Sequence, residues 1–161
     1  RTDAEFYATD LMTDVLSRGK SSRLYNQLVK EKKLFSDISA YLTGDFDKGL
    51  VVVEGKLIKG IAMDEAENAI YQELQRIADE LVSESELDRA KNKVESTIEF
   101  SETDLSGRAL ALAIADYMGD ANLANTEMKL YAAVKREDIL HAAKSVFRKE
   151  NSSVLHYLSM N

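Results

Sequence analysis

The feature that most narrows the fold is a change of hydrophobic period just past residue 36. Before it, Tyr7, Leu11 and Val15 recur at four-residue spacing between Asp3 and Arg18. That spacing predicts a helix, and Gly19 is a suitable stop for it. Ser21 or Ser22 can cap a second helix that carries Leu24 and Leu28. Then Ile38, Ala40 and Leu42 alternate with Asp37, Ser39 and Tyr41, the two-residue period of a half-buried strand. Gly44 to Gly49 is turn chemistry, and Leu50 to Ile58 is a second β-rich run, so the two runs read as a hairpin.

Helical spacing then returns. Ile70, Leu74, Ile77 and Leu81 form one stripe, with Asp64, Glu65 and Glu67 favourably placed in its first turn. Ser83 with Glu86 forms a capping box for a helix carrying Leu87, Ala90, Val94 and Ile98. Further helices are expected around Leu105, Ala109 and Leu112, from Asn125 to Val134, and from Arg136 to Phe147. Ser153 to Ser159 reads as a closing strand. Helices, a hairpin, more helices and a last strand predict an α+β fold, an antiparallel β-sheet with α-helices packed on one face.

The 161 residues suffice for one domain with a real core, and 45% are apolar. Proline is absent, and there is no Gly/Ser linker or internal repeat, so residues 1–161 are read as a single domain. The chain opens on Arg1 rather than Met and is expected to be a processed or truncated piece of a longer one. A net charge of −7 argues against nucleic acid and anionic lipid as partners. No apolar run is long enough to suggest membrane insertion. With no cysteine, disulfides and thiolate metal sites are excluded.

Residue chemistry alone shows no active site. Gly19-Lys20-Ser21 resembles the end of a phosphate-binding loop, but the required earlier glycine is Asp14 and a helix is expected where a strand should precede. It reads better as a helix stop followed by a cap. His141 and His156 are the only histidines, and neither sits in a zinc-binding spacing, so both are read as surface or partly packed residues. Asp45 and Asp47 share the hairpin loop and read as solvated turn residues rather than a paired-carboxylate site. Asn151-Ser152-Ser153 matches a glycosylation sequon, which matters only in a eukaryotic secretory setting.

Several separated segments together carry a resemblance. Ser21-Ser22-Arg23-Leu24-Tyr25, the following Leu28 to Lys33 helix, and Ser36 to Tyr41 stand in order. Behind them come Lys48 to Val53, Val82 to Lys93 with its Glu86-Leu87 and Ala90-Lys91, Val134 to Ile139, and Asn151 to Tyr157. In this order they resemble the carboxy-terminal, non-zinc-binding domain of the insulinase/pitrilysin (M16-type) zinc metallopeptidase family, over nearly the whole chain. The resemblance implies a mitochondrial-processing-peptidase-like fold.

It also implies a division of labour. The zinc motif of the family, two histidines and a glutamate closed by a distant glutamate, belongs to another domain and is absent here. No catalytic residue and no cofactor is therefore expected in this chain, and zinc is expected in an upstream domain. There zinc would lower the pKa of its bound water and a glutamate would serve as general base. Many members place an Arg and a Tyr, seven residues apart, in the domain that this chain resembles, where they hold the substrate carbonyl. Aligned on Leu28 and Leu34, those positions hold Val29 and Ser36. Valine cannot donate to an oxyanion, and the serine hydroxyl falls short of a tyrosine's reach.

Two readings follow from the resemblance. This chain is the rear part of a zinc-bearing subunit that borrows the missing pair from a second M16-type subunit. Alternatively, the parent is an inactive scaffold of the kind found among the core proteins of a respiratory complex. Under the first reading the partners are the upstream catalytic domain, the second subunit and a peptide substrate. Related bacterial chains suggest a periplasmic location.

Overall fold

The computed structural model describes residues 3–44, 49–101 and 103–158. The first helix, α1 (Ala4–Ser17), starts on Asp3, whose carboxylate accepts from the Glu5 amide. Its buried set, including Tyr7, Leu11, Met12, Val15 and Leu16, spreads around most of the helix. A helix apolar on so much of its circumference must be enclosed. It is: β1 (Phe35–Leu42) covers one side, and α6 (Arg136–Val146), α3 (Glu84–Ser101) and α5 (Leu123–Ala133) cover the others.

Strand β1 pairs antiparallel with β2 (Val51–Leu57), Ile38 opposite Gly55 and Ala40 opposite Val53. The inward residues Phe35, Ile38 and Ala40 are buried against α1, while β2 is exposed over much of its length. The helix α2 (Met63–Asp79) buries Ala66, Leu74 and Ile77 and packs on α6. After α3, the helix α4 (Leu105–Tyr117) turns back and rests on α5. The result is an α+β fold with a small antiparallel sheet flanked by helices, as expected. No described helix is long and apolar enough to cross a membrane.

Three expectations need correction. The second helix is a π-helix, Tyr25–Glu31, rather than an α-helix. Neither serine caps it through a side chain: Ser22 Oγ is buried without a partner, and only the Ser22 carbonyl serves, accepting from the Asn26 amide. The closing strand is also missing among the described residues, since 152–158 is irregular. A strand needs a ladder partner to satisfy its backbone. This segment instead runs beside α2, held by Ser152 to Tyr71 (3.0 Å) and His156 to Glu67 (2.8 Å), with Leu155 and Tyr157 exposed.

The α3–α4 corner depends on one glycine. Asp104 caps α4 by accepting from the Ser106 and Gly107 amides. A Cβ on Gly107 would fall on the carbonyl oxygen of Ser101, a backbone atom that cannot swing aside. Gly107→Ala is therefore expected to cost about 2 kcal/mol by overpacking, with circular dichroism still helical and the melting temperature lowered.

Candidate functional site

The segment from the end of α1 to the start of β1 holds both positions singled out in the sequence. Gly19, at φ +86°, ends α1 in the left-handed region, and the Ser22 amide donates to its carbonyl at 3.1 Å. The chain then enters the π-helix. Its register is shown by the Lys32 amide reaching Gln27 O (2.9 Å), five residues back; past its end, the Leu34 amide closes the turn on Leu28 O (2.9 Å), six residues back. Leu28 is fully buried and Val29 is half-buried against the core. Lys33 takes φ +53°, a tight exit that lets Leu34 accept from the Ile58 amide at the end of the hairpin.

Ser36 lies at a second irregularity. Phe35 pairs with Leu57 and Asp37 with Lys56, so Ser36 is the extra residue of a β-bulge. It is exposed, and its hydroxyl donates to Lys56 O at 3.1 Å. One candidate position therefore sits in a π-helix and the other in a bulge. Both devices give up regular hydrogen bonding to re-aim side chains, and both concentrate near functional sites.

A charge clamp fixes the start of this segment. Arg23 Nε and Nη2 donate to the two Glu86 oxygens at 2.7 and 3.0 Å, tying it to α3. Glu86 also accepts from the Ser83 amide at 2.8 Å. The Arg23 hydrogen bonds hold the Glu86 carboxyl down at about 2. The capping box was legible from Ser83 and Glu86, but the long-range half of the clamp was not. It joins residues far apart in sequence, and no local pattern marks it.

Two cavities lie nearby. One of about 240 Å³ is lined by Asp10, Arg18, Thr97 and Tyr131, among others. Within it Tyr131 donates to Asp10 at 2.7 Å, and burial pushes the phenol pKa well up. The other, of about 40 Å³, is lined by Asp14, Ser22, Glu86 and Lys93, among others. Neither is lined by Val29 or Ser36.

Asp14 pairs with Arg18 (2.8 Å), yet burial outweighs that attraction and raises its pKa to about 6. A raised carboxyl pKa means that the folded chain holds the proton more tightly than the unfolded one. The associated stability is full below about 3.8 and is lost as pH rises through about 6. Asp14→Asn is therefore expected to remove a stability change of up to about 3 kcal/mol between pH 4 and 7. Urea unfolding across that range checks it; an unchanged pH slope would refute the assignment.

The histidines do not converge. His141 is exposed on α6, and His156 is engaged with Glu67 on α2. Among the described residues no group of three or more His, Cys, Asp or Glu side chains is placed to hold a metal ion. These residues do not fit a zinc site. Asp45 and Asp47 lie outside the described residues.

Comparison with solved structures places this geometry among known folds. A candidate zinc protease from Bordetella pertussis Tohama I superposes with a TM-score of 0.88 at 26% identity, over 99% of this chain and 87% of that one. The inactive peptidase domain of a candidate zinc protease from Bordetella parapertussis gives 0.88 at 25% identity, over 98% and 85%. A protease from Helicobacter pylori shares the fold, with a TM-score of 0.83 at 20% identity, over 91% of this chain and 35% of that one. No curated protein matches. The family model described as the peptidase M16 inactive domain matches residues 1–94, more than half of the chain and all of the π-helix and hairpin. The chain belongs to the M16 peptidase family, as its inactive domain.

Proposed function

We propose that this domain is the non-zinc-binding part of a zinc metalloendopeptidase subunit. It forms a wall of the peptide chamber and part of a subunit interface. The observation that supports this best is the inactive-domain match over residues 1–94, which spans Val29 and Ser36. The π-helix and the bulge add a physical reason: each keeps a costly irregularity at a position that the resemblance aligns with a carbonyl-binding side chain. Here the two positions carry no strong donor, so the domain shapes the chamber while the donors and the metal come from other polypeptide. The partners on this reading are the upstream catalytic domain, a second M16-type subunit and the peptide substrate. The setting is a periplasm.

The test is a reconstitution. The 161-residue chain alone is expected to leave a mixed peptide library uncut, with or without added zinc. Joined to a domain carrying the zinc motif and mixed with an M16-type subunit that carries the Arg/Tyr pair, it is expected to restore cleavage. Turnover by the isolated chain that follows it through an orthogonal purification step would overturn the proposal.

A further inference from the structure

The turn between α1 and the π-helix holds two serines that do not cap the helix they precede. Ser22 is buried, and its hydroxyl has no hydrogen-bond partner among the described residues. One residue on, Arg23 commits Nε and Nη2 to Glu86 and keeps Nη1 buried with no partner among them. An arginine N–H can only donate, and a serine hydroxyl can donate as well. Buried donors left over in this way point to an acceptor that the chain itself does not supply.

The cavity of about 40 Å³ stands at this turn. It is lined by Ser21 and Ser22 of the turn, Asp14 and Arg18 of α1, and Glu86, Arg89 and Lys93 of α3. Both carboxylates are already engaged, Asp14 by Arg18 at 2.8 Å and Glu86 by Arg23 at 2.7 Å. Arg89 and Lys93 lie one turn apart on one face of α3. Both are exposed, and neither has an ion-pair partner among the described residues. A chain of net charge −7 thus sets two uncompensated cations at one small cavity.

Size and donor chemistry indicate the ligand. The cavity has room for about three waters, and so for one small oxyanion. Water would satisfy a serine hydroxyl alone. An oxyanion accepts from hydroxyls and cations together, and charge-assisted hydrogen bonds are about twice as strong as neutral ones. The donors come from α3 and from the turn rather than from one plane, which suits a tetrahedral group better than a flat carboxylate. Ser22 presents its hydroxyl to the cavity by a change of χ1 rotamer.

We propose that this cavity binds a small tetrahedral oxyanion of the phosphate or sulfate class, held by Arg89 and Lys93 from α3 and by Ser21 and Ser22 from the turn. The bound ion ties the entry of the π-helix to α3, beside the Arg23–Glu86 clamp. The site does not depend on the chamber reading or on Val29 and Ser36.

Calorimetry and amide NMR of the 161-residue chain test it, at fixed ionic strength, with inorganic phosphate and sulfate as probes. One ion is expected to bind saturably with a Kd of about 1 mM or tighter. The amide shifts are expected to be confined to residues 19–23 and 86–93. Arg89→Ala and Lys93→Ala, both at exposed positions, are each expected to weaken binding at least about fivefold, and Ser22→Ala about threefold. Lys129→Ala, which removes the same charge from α5, is expected to leave the Kd unchanged, and acetate is expected not to compete. Adenosine monophosphate separates two sources of the group. Weaker binding than inorganic phosphate supports a site for the free ion, and tighter binding supports a site for a phosphorylated molecule. No saturation by about 20 mM phosphate overturns the proposal. So does an affinity that Arg89→Ala and Lys93→Ala leave unmoved, one that Lys129→Ala lowers equally, or acetate competing as well as phosphate.

Discussion

Val29→Arg combined with Ser36→Tyr, in a chain that carries both this domain and the zinc motif, is expected to raise partner-independent peptide hydrolysis by about 10²-fold. One oxyanion donor is typically worth about 10²–10³ in rate, and imperfect placement reduces that. The structure can accept both changes. Val29 is only half-buried, so an arginine can lay its stem along the core and extend its head outwards. Ser36 is exposed at the bulge, so a tyrosine ring has room. Steady-state cleavage of a quenched fluorescent peptide, with zinc content measured in parallel, checks the result. A double variant that folds and holds zinc but is no more active than its parent would leave the alignment of these positions standing and count against the missing pair as the reason a partner is needed. Each single variant is expected to gain less than the double, because both donors serve one oxygen.

Arg23→Ala is expected to lower stability by about 2–3 kcal/mol, because it leaves the Glu86 carboxylate in a half-buried site with one partner fewer. The loss should depend on pH. The pKa of Glu86 is lowered in the fold, so its contribution is complete above about 4.5 and is lost as pH falls towards about 2. Wild type and Arg23→Ala should therefore differ most at neutral pH and converge in acid. Denaturant unfolding at pH 7 and pH 3 measures this directly, and an equal difference at the two pH values would show that lost packing, not charge, dominates. Because the clamp also holds the entry to the π-helix, hydrogen exchange of the Leu24–Leu34 amides is expected to speed up in the same variant.

Most of the fold is written locally in this sequence. The stripe Tyr7, Leu11, Val15 and the alternation Ile38, Ala40, Leu42 are consequences of helical and strand geometry, and each needs only neighbouring residues to be read. The same holds for the Gly19 stop and the Ser83–Glu86 capping box, so α1, the hairpin and α3 were legible, as was the α+β class. The family was legible because several local motifs occur in one order.

Tertiary structure decided the rest. Leu24 to Leu34 has an ordinary helical pattern; it becomes a π-helix where Leu28 must stay buried while Leu34 reaches the Ile58 amide. The segment after Ser152 has the alternation of a strand, yet a strand exists only where another chain segment offers its ladder, and here α2 offers side chains instead. Arg23–Glu86 and the burial that lifts Asp14 to about 6 likewise arise only when α1 and the segment that follows it are brought against α3. Periodicity records which face of an element is apolar. What that face meets is set by contacts distant in sequence, whose energies depend on burial that no local pattern contains.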